Sequence, residues 1–191
     1  MRTLTLLLLG VLAVPAPGAT NDVIEGNPSA AVKVTIFEDL QCGYCQTLRT
    51  MLDEKLLPRY GTQVAFIHRD LPLGRHDWAR SAAMVARWIY EQNPNLSIVF
   101  RRELLSEQEH ITKASLKPWV VEFAARNKLS EQGITAALDD PRLGITVDQD
   151  LQLATTRGIK KIPAVYIAGQ SFIETIVYDD LAKAIDQALA R

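Results

Sequence analysis

The sequence predicts an α/β fold in which a block of helices interrupts a sheet-forming chain. Three observations carry this. A β-branched run, Val32-Lys33-Val34-Thr35-Ile36-Phe37, is followed by helical periodicity and then by a second strand-like run, Gln63 to His68. The stretch from His76 to about Thr156 holds only helical spacing, and strand character returns at Ala164 to Ala168. Strand, helix and strand in that order form a βαβ unit, which implies parallel pairing.

Taken in order, the chain opens with Met1-Arg2-Thr3, an apolar stretch from Leu4 to Val14, and Pro15-Ala16-Pro17-Gly18-Ala19. A charged start, an apolar centre and small residues at the end are the parts of a secretory signal, so residues 1–19 read as a signal peptide. The alternative, a membrane anchor, needs ~20 apolar residues, about twice what is present. An exported, soluble product is expected after cleavage.

A short polar lead runs through Asn27-Pro28 to the strand at Val32. After the strand, Leu48, Met51, Leu52 and Leu56 recur at helical spacing from Gly43 until Pro58. The helical block then shows Ala79, Ala82, Ala83 and Ala86 with Trp88-Ile89; Leu96 to Leu105; Pro118 to Leu129; Ile134 to Leu138; and Val147 to Thr155. That is four or five helices. A hairpin signal follows, with a turn at Gly169-Gln170 and a strand from Ser171 to Ile176, and Leu181, Ile185, Ala188 and Leu189 mark a last amphipathic helix.

Composition narrows the function classes. An apolar share of 48% is enough for a buried core. The formal charge of −1, with Lys and Arg scattered, gives no footprint for nucleic acid or anionic lipid. Both cysteines fall in one motif, Cys42-Gly43-Tyr44-Cys45, which begins where the first helix begins. As a structural staple the pair would close so small a loop that chain entropy gives it little value, so reactivity explains it better. The thiolate is the attacking species, and a helix N-terminus stabilises an anion. Cys42 at the cap therefore reads as an exposed nucleophile, with Cys45 one turn inside as the resolving thiol, shielded by Leu40 and Leu48. Zinc usually takes four ligands, and none of the three histidines has paired spacing, so no metal or other cofactor is expected. His68 and His76 read as packing or capping groups, and His110 as solvated. Pro163, after Lys160-Lys161-Ile162, is either an edge-strand residue or a cis turn.

A cysteine pair after a strand, with Ile162-Pro163 far downstream before a hairpin and a final helix, resembles the thioredoxin superfamily. The size of the helical insertion resembles its DsbA-like branch, as do Asp39-Leu40-Gln41-Cys42, Asp70-Leu71-Pro72-Leu73 with His76, and Ala154 to Gly158. The resemblance covers roughly Asn27 to Leu189. It implies a thioredoxin-like domain over residues 27–75 and 157–191 with an inserted helical domain over 76–156. It also implies Pro163 in cis, with Gly43, Tyr44, Pro163 and the Ile162 backbone binding an extended substrate segment.

The function implied is a periplasmic thiol-disulfide oxidoreductase that introduces disulfides into unfolded or partly folded exported proteins and is reoxidised by a membrane quinone-linked partner. The alternatives are a reductase or isomerase using the same pair, or a peptide-binding module whose apolar surface is Leu40, Tyr44, Leu71 and Ile162. A dimeric isomerase plan would need more chain before Val32, so a monomer is expected. Two departures from the family stand out. Ile36 occupies the place of a buried acid, leaving water or an exposed Glu38 to take the proton of Cys45. Gly43-Tyr44 replaces the Pro-His of strong oxidants, which implies a milder oxidant.

Overall fold

The computed structural model describes residues 22–191, so the signal-peptide reading of residues 1–19 lies outside the described residues. Five strands form one sheet in the order β1-β3-β2-β4-β5. They are β1 (Val23–Gly26), β2 (Val32–Glu38), β3 (Val64–Asp70), β4 (Ala164–Ile167) and β5 (Gln170–Ile173). The β2 and β3 strands pair in parallel, in a register that sets Val34 beside Phe66 and Glu38 beside Asp70. The remaining pairings are antiparallel.

Strand β1 lies where the sequence pattern shows only a polar lead. It has four residues, of which only Val23 is buried, too few for an alternation to register. It nonetheless covers an edge of β3, with Val23 opposite His68.

The connection from β2 to β3 begins as α1 (Gly43–Met51), passes through a π-helical turn at Leu52–Leu56, and ends as α2 (Leu57–Tyr60). The sequence reading stopped this helix at Pro58. Pro58 instead lies in the first turn of α2, where a missing N–H costs least.

Between β3 and β4 lie α3 (Ala79–Gln92), α4 (Pro94–Glu107), a 3₁₀ turn (Gln108–His110), α5 (Lys113–Arg126), α6 (Glu131–Ala137) and α7 (Pro141–Thr156). Short polar caps separate them. Asn93, Thr112, Ser130 and Asp140 each accept a backbone N–H of the helix they begin, which satisfies donors that have no intrahelical partner. The final helix is α8 (Tyr178–Leu189).

Side chains alternate across the sheet, so each face has its own core. Val34, Ile36, Phe66, Val165 and Ile167 pack with Leu48, Leu52, Leu56, Leu181 and Ile185 from the α1–α2 connection and α8. Phe37 and Ala164 face the other way, into a cluster with Leu40 of the turn after β2 and with Trp78, Phe100, Leu104 and Phe123 of the helical block. Packing within the block is close. At Gly133 a methyl group would come within 2.4 Å of the Trp88 ring, so α6 docks on α3 only without a side chain there.

A layer of buried charge joins the sheet to the block at the ends of β2 and β3. Arg101 of α4 donates to Glu38 at 3.2 Å and to Asp70 at 2.6 Å. Arg87 of α3 donates to Asp70 at 2.6 Å and also pairs with Asp150 of α7, which accepts the Asp70 backbone N–H at 2.9 Å. His68 lies between Glu38 at 2.7 Å and Glu25 at 3.3 Å.

Candidate functional site

The cysteine motif stands where β2 gives way to α1. Cys42 is the cap residue, in extended conformation, and its carbonyl accepts the N–H of Cys45 at 3.0 Å and of Gln46 at 3.1 Å. Both cysteines are free thiols. A hydrogen bond from Cys45, joined by the backbone N–H groups of Cys45 and Tyr44, outweighs burial and brings the Cys42 pKa down from 9.0 to about 6. Burial, then the hydrogen bond to Cys42, pushes Cys45 well above its ordinary value. At neutral pH the pair is therefore a thiolate at Cys42 and a thiol at Cys45, which is the division of labour that disulfide exchange requires.

The expectation of an exposed Cys42 is corrected. Cys42 is 5% exposed and Cys45 is fully buried, as are Leu40 and Leu48 to within a few per cent. The helical block causes this. Gln108 donates to the Cys42 carbonyl at 3.3 Å, and Gln46 of α1 reaches the Ser106 carbonyl at 3.5 Å, so the block closes over the start of α1. Gly43 is exposed and Tyr44 is 70% exposed. The first turn of α1 thus presents its two intervening residues to solvent, with the Cys42 sulfur just beneath.

The Ile162–Pro163 bond is cis. Pro163 faces α1 across a cavity of about 170 Å³, lined also by Tyr44, Leu48, Met51 and Ile176. The structure thus brings Pro163 and Tyr44 together, while the Ile162 side chain is buried. The apolar contact surface imagined for a binding module does not exist. Leu40, Leu71 and Ile162 all lie in the core, and Tyr44 alone of the four is exposed.

Glu38 is also corrected: it is 4% exposed rather than a surface group. Burial alone would raise its pKa, but His68 and Arg101 overcome this and hold it below the ordinary value. Burial likewise opposes charge on His68, and the Glu38 and Glu25 carboxylates more than offset it, holding its pKa above the ordinary value. Neither group is a passive packing residue.

Sequence reasoning missed the part played by Asp39. Its side chain has no exposure. One carboxyl oxygen accepts the Gln41 N–H at 2.7 Å, and the other accepts the Leu73 N–H and meets His76 Nδ1, each at 2.7 Å. Its backbone N–H points at Cys45 Sγ, 3.4 Å away, and its carbonyl accepts the Cys42 N–H at 3.1 Å. An acidic residue three before the motif was the available signal, but His76 lies too far along the chain for spacing to connect the two.

With this geometry in place, a family model described as thioredoxin (Thioredoxin_4) matches residues 19–187. The chain belongs to this thioredoxin family. Solved structures show the same fold. BdbD from Bacillus subtilis superposes with a TM-score of 0.81 at 19% identity, covering 92% of this chain and 96% of that one. The thiol-disulfide exchange protein alpha-DsbA2 from Wolbachia pipientis gives 0.75 at 20% identity, with 88% of each chain covered. A periplasmic thioredoxin-like protein from Salmonella enterica serovar Typhimurium gives 0.74 at 22% identity, covering 90% of this chain and 91% of that one. This is the DsbA-like form of the thioredoxin fold, with its helical insertion, carrying a Cys-x-x-Cys pair.

A stretch of 152 residues, 78% of this chain, is also 26% identical to part of the Na(+)/H(+) antiporter NhaA of Herminiimonas arsenicoxydans, spanning 22% of that protein's length. The chain thus corresponds to about a fifth of that curated relative. Among the described residues no helix is long and apolar enough to cross a membrane.

Proposed function

We propose that this protein is a thiol-disulfide oxidoreductase working through Cys42 and Cys45, and that its main task is to introduce disulfides into exported proteins. The observation that carries the reading is the asymmetry of the pair: an acidic cysteine capping a helix and a buried partner that keeps its proton.

In the oxidising direction a substrate thiolate attacks Cys42 Sγ of the Cys42–Cys45 disulfide. The S–S bond breaks, a mixed disulfide forms between substrate and Cys42, and Cys45 leaves as a thiolate that takes up a proton. A second substrate thiolate then attacks the substrate sulfur of the mixed disulfide. The substrate leaves oxidised by two electrons, and Cys42 leaves as the thiolate its cap position favours. Exposed Gly43 and Tyr44 form the rim along which the substrate segment lies, with Pro163 and the Ile162 backbone beneath it, next to the apolar cavity that Pro163 shares with α1.

The first 19 residues serve as the export signal, and the mature protein works as a monomer in the periplasm. Its substrates are unfolded or partly folded exported proteins, and a membrane quinone-linked partner restores its disulfide. The lack of a positive charge at Tyr44 makes it a milder oxidant than DsbA, with a potential between about −120 and −270 mV. Titration against glutathione tests the potential, and oxidation of a reduced, unfolded secretory protein tests the direction. In Cys45→Ala the Cys42 thiolate can attack a disulfide of a client, displacing one client thiolate, and with no Cys45 to release it the mixed disulfide at Cys42 should persist. Failure to transfer a disulfide, or a potential below that interval, would turn the assignment towards a reductase.

A further inference from the structure

Among the described residues, Asp39 is an acidic side chain set against the cysteine pair whose carboxylate meets backbone N–H groups and an imidazole rather than a guanidinium. Its residue brackets the motif on three sides: carbonyl to the Cys42 N–H, backbone N–H to Cys45 Sγ, and carboxylate to the Gln41 N–H one residue before Cys42. The fourth side leaves the sheet altogether. Leu73 and His76, on the link from β3 to α3, hold the other carboxyl oxygen. His76 keeps 15% of its side-chain surface in solvent, whereas Asp39 keeps none. The active-site turn is therefore pinned to the entrance of the helical block through one carboxylate and one imidazole.

We infer that Asp39, held by His76, is a positioning residue of the exchange reaction, fixing the turn against Cys45 while placing a negative charge that opposes the Cys42 thiolate. The inference deepens the exchange reading and rests on it. Two physical consequences follow from the placement. A buried anion close to a second anion disfavours it, so the Asp39 charge restrains the acidity that the helix start gives to Cys42. His76 offsets that charge through its contact with the carboxylate at 2.7 Å. Burial moves the Asp39 carboxyl pKa upward, while the Leu73 and Gln41 N–H groups and His76 work the other way. The charged and titratable groups that meet this carboxylate are His76 on the link and, through its charge, Cys42 at the cap of α1; Cys45 meets the Asp39 backbone N–H instead, and Glu38 adjoins Asp39 at the end of β2. Asp77 lies one step further out, where it meets the Gln41 side chain at 3.4 Å.

The test is a double-mutant cycle read by the pH midpoint of Cys42 alkylation in the reduced full-length protein, with the glutathione redox potential as a second readout. Asp39→Asn keeps an acceptor for the Gln41 N–H and removes the charge. It should lower the Cys42 midpoint by about one pH unit and make the protein more oxidising. His76→Ala leaves the carboxylate less compensated and should raise the midpoint. In the Asp39→Asn background, His76→Ala should then have no further effect. His76→Asn, which can still donate to Asp39 but carries no charge, should restore part of the wild-type midpoint.

Shifts in the same direction for Asp39→Asn and His76→Ala, or additive shifts in the double variant, would overturn the inference. Should Asp39→Asn fail to fold, His76→Ala alone decides, because a midpoint that stays or falls contradicts it. If the oxidised wild-type protein transfers no disulfide while the titrations separate as stated, the exchange reading fails and Asp39 still stands as the charge opposing Cys42.

Discussion

Two buried charged regions lie within a few residues of each other and are stabilised in opposite ways. In the layer at the ends of β2 and β3, Glu38 and Asp70 share Arg101, Asp70 also takes Arg87, and His68 fills the space between Glu38 and Glu25. Full charges meet full charges there. At the cysteine motif the thiolate of Cys42 meets dipoles: an S–H from Cys45 and backbone N–H groups at a helix start. Ion pairing locks protonation states, whereas stabilisation by dipoles leaves a sulfur that is anionic at neutral pH but still close to its titration point. A redox centre needs the second arrangement, and the first is suited to holding the scaffold around it.

The comparison breaks most directly at Cys42. Cys42→Ala should abolish disulfide transfer to a reduced substrate, leave the fold intact by circular dichroism, and leave the charge layer untouched. Residual transfer in that variant would remove the thiolate from the centre of the chemistry.

The next largest effect lies in the other region. Arg101→Ala strands Glu38 and Asp70 without their shared partner, and breaking a buried pair from one side costs about 3–5 kcal/mol. Denaturant unfolding should report that loss while the alkylation midpoint of Cys42 stays near 6. A midpoint that moved with Arg101 would show the two regions to be one.

Proton linkage sharpens the contrast further. Burial raises the Glu25 pKa, but His68 and Arg49 bring it down to about 2. Its stabilisation is complete above its ordinary value near 4.5 and is lost as pH falls through about 2. His68, held above its ordinary 6.5, stabilises fully below that pH and loses its contribution as pH rises through the folded value. Cys42 behaves as the acid does, in a different window. Its thiolate favours the folded reduced protein above pH 9, and this advantage over the oxidised form shrinks down to about pH 6. Unfolding of both redox forms across pH would separate the three.

The smallest expected effect is at the rim. Tyr44→His places a proton-binding ring beside Cys42 on an exposed position, and should lower its alkylation midpoint and shift the potential towards the oxidising end without changing stability. An unchanged midpoint would mean that the intervening residues do not set the acidity of this pair.

Sequence periodicity made most of the fold legible because each feature was local. The run Val32 to Phe37, the spacing of Leu48, Leu52 and Leu56, and the hairpin about Gly169 carry their patterns within a few residues of chain. The cap position of Cys42 followed from the same locality, and the cis bond at Pro163 from the family resemblance. What escaped depends on distant partners. Cys42 looked exposed because Gln108, which helps cover it, is 66 residues away. Glu38 looked like a surface acid because His68 and Arg101 lie 30 and 63 residues along the chain. The Asp39–His76 contact joins positions 37 apart. A charged residue declares its burial only through a partner, and spacing does not reveal partners at such separations.

The charge layer also imposes an order of assembly. β2 and β3 are synthesised early, yet Glu38 and Asp70 at their ends depend on guanidinium groups from α3 and α4, and the Asp70 backbone N–H depends on Asp150. Synthesis from the N-terminus delivers those residues later. The first strands therefore cannot settle into their final burial as soon as they emerge, and must wait in water until residue 150 has followed. Closure of this seam must await α3, α4 and α7, and Gln108, which follows α4 directly, reaches the Cys42 carbonyl only from that block. The cover over Cys42 is thus made of residues that the chain supplies well after Cys42 itself.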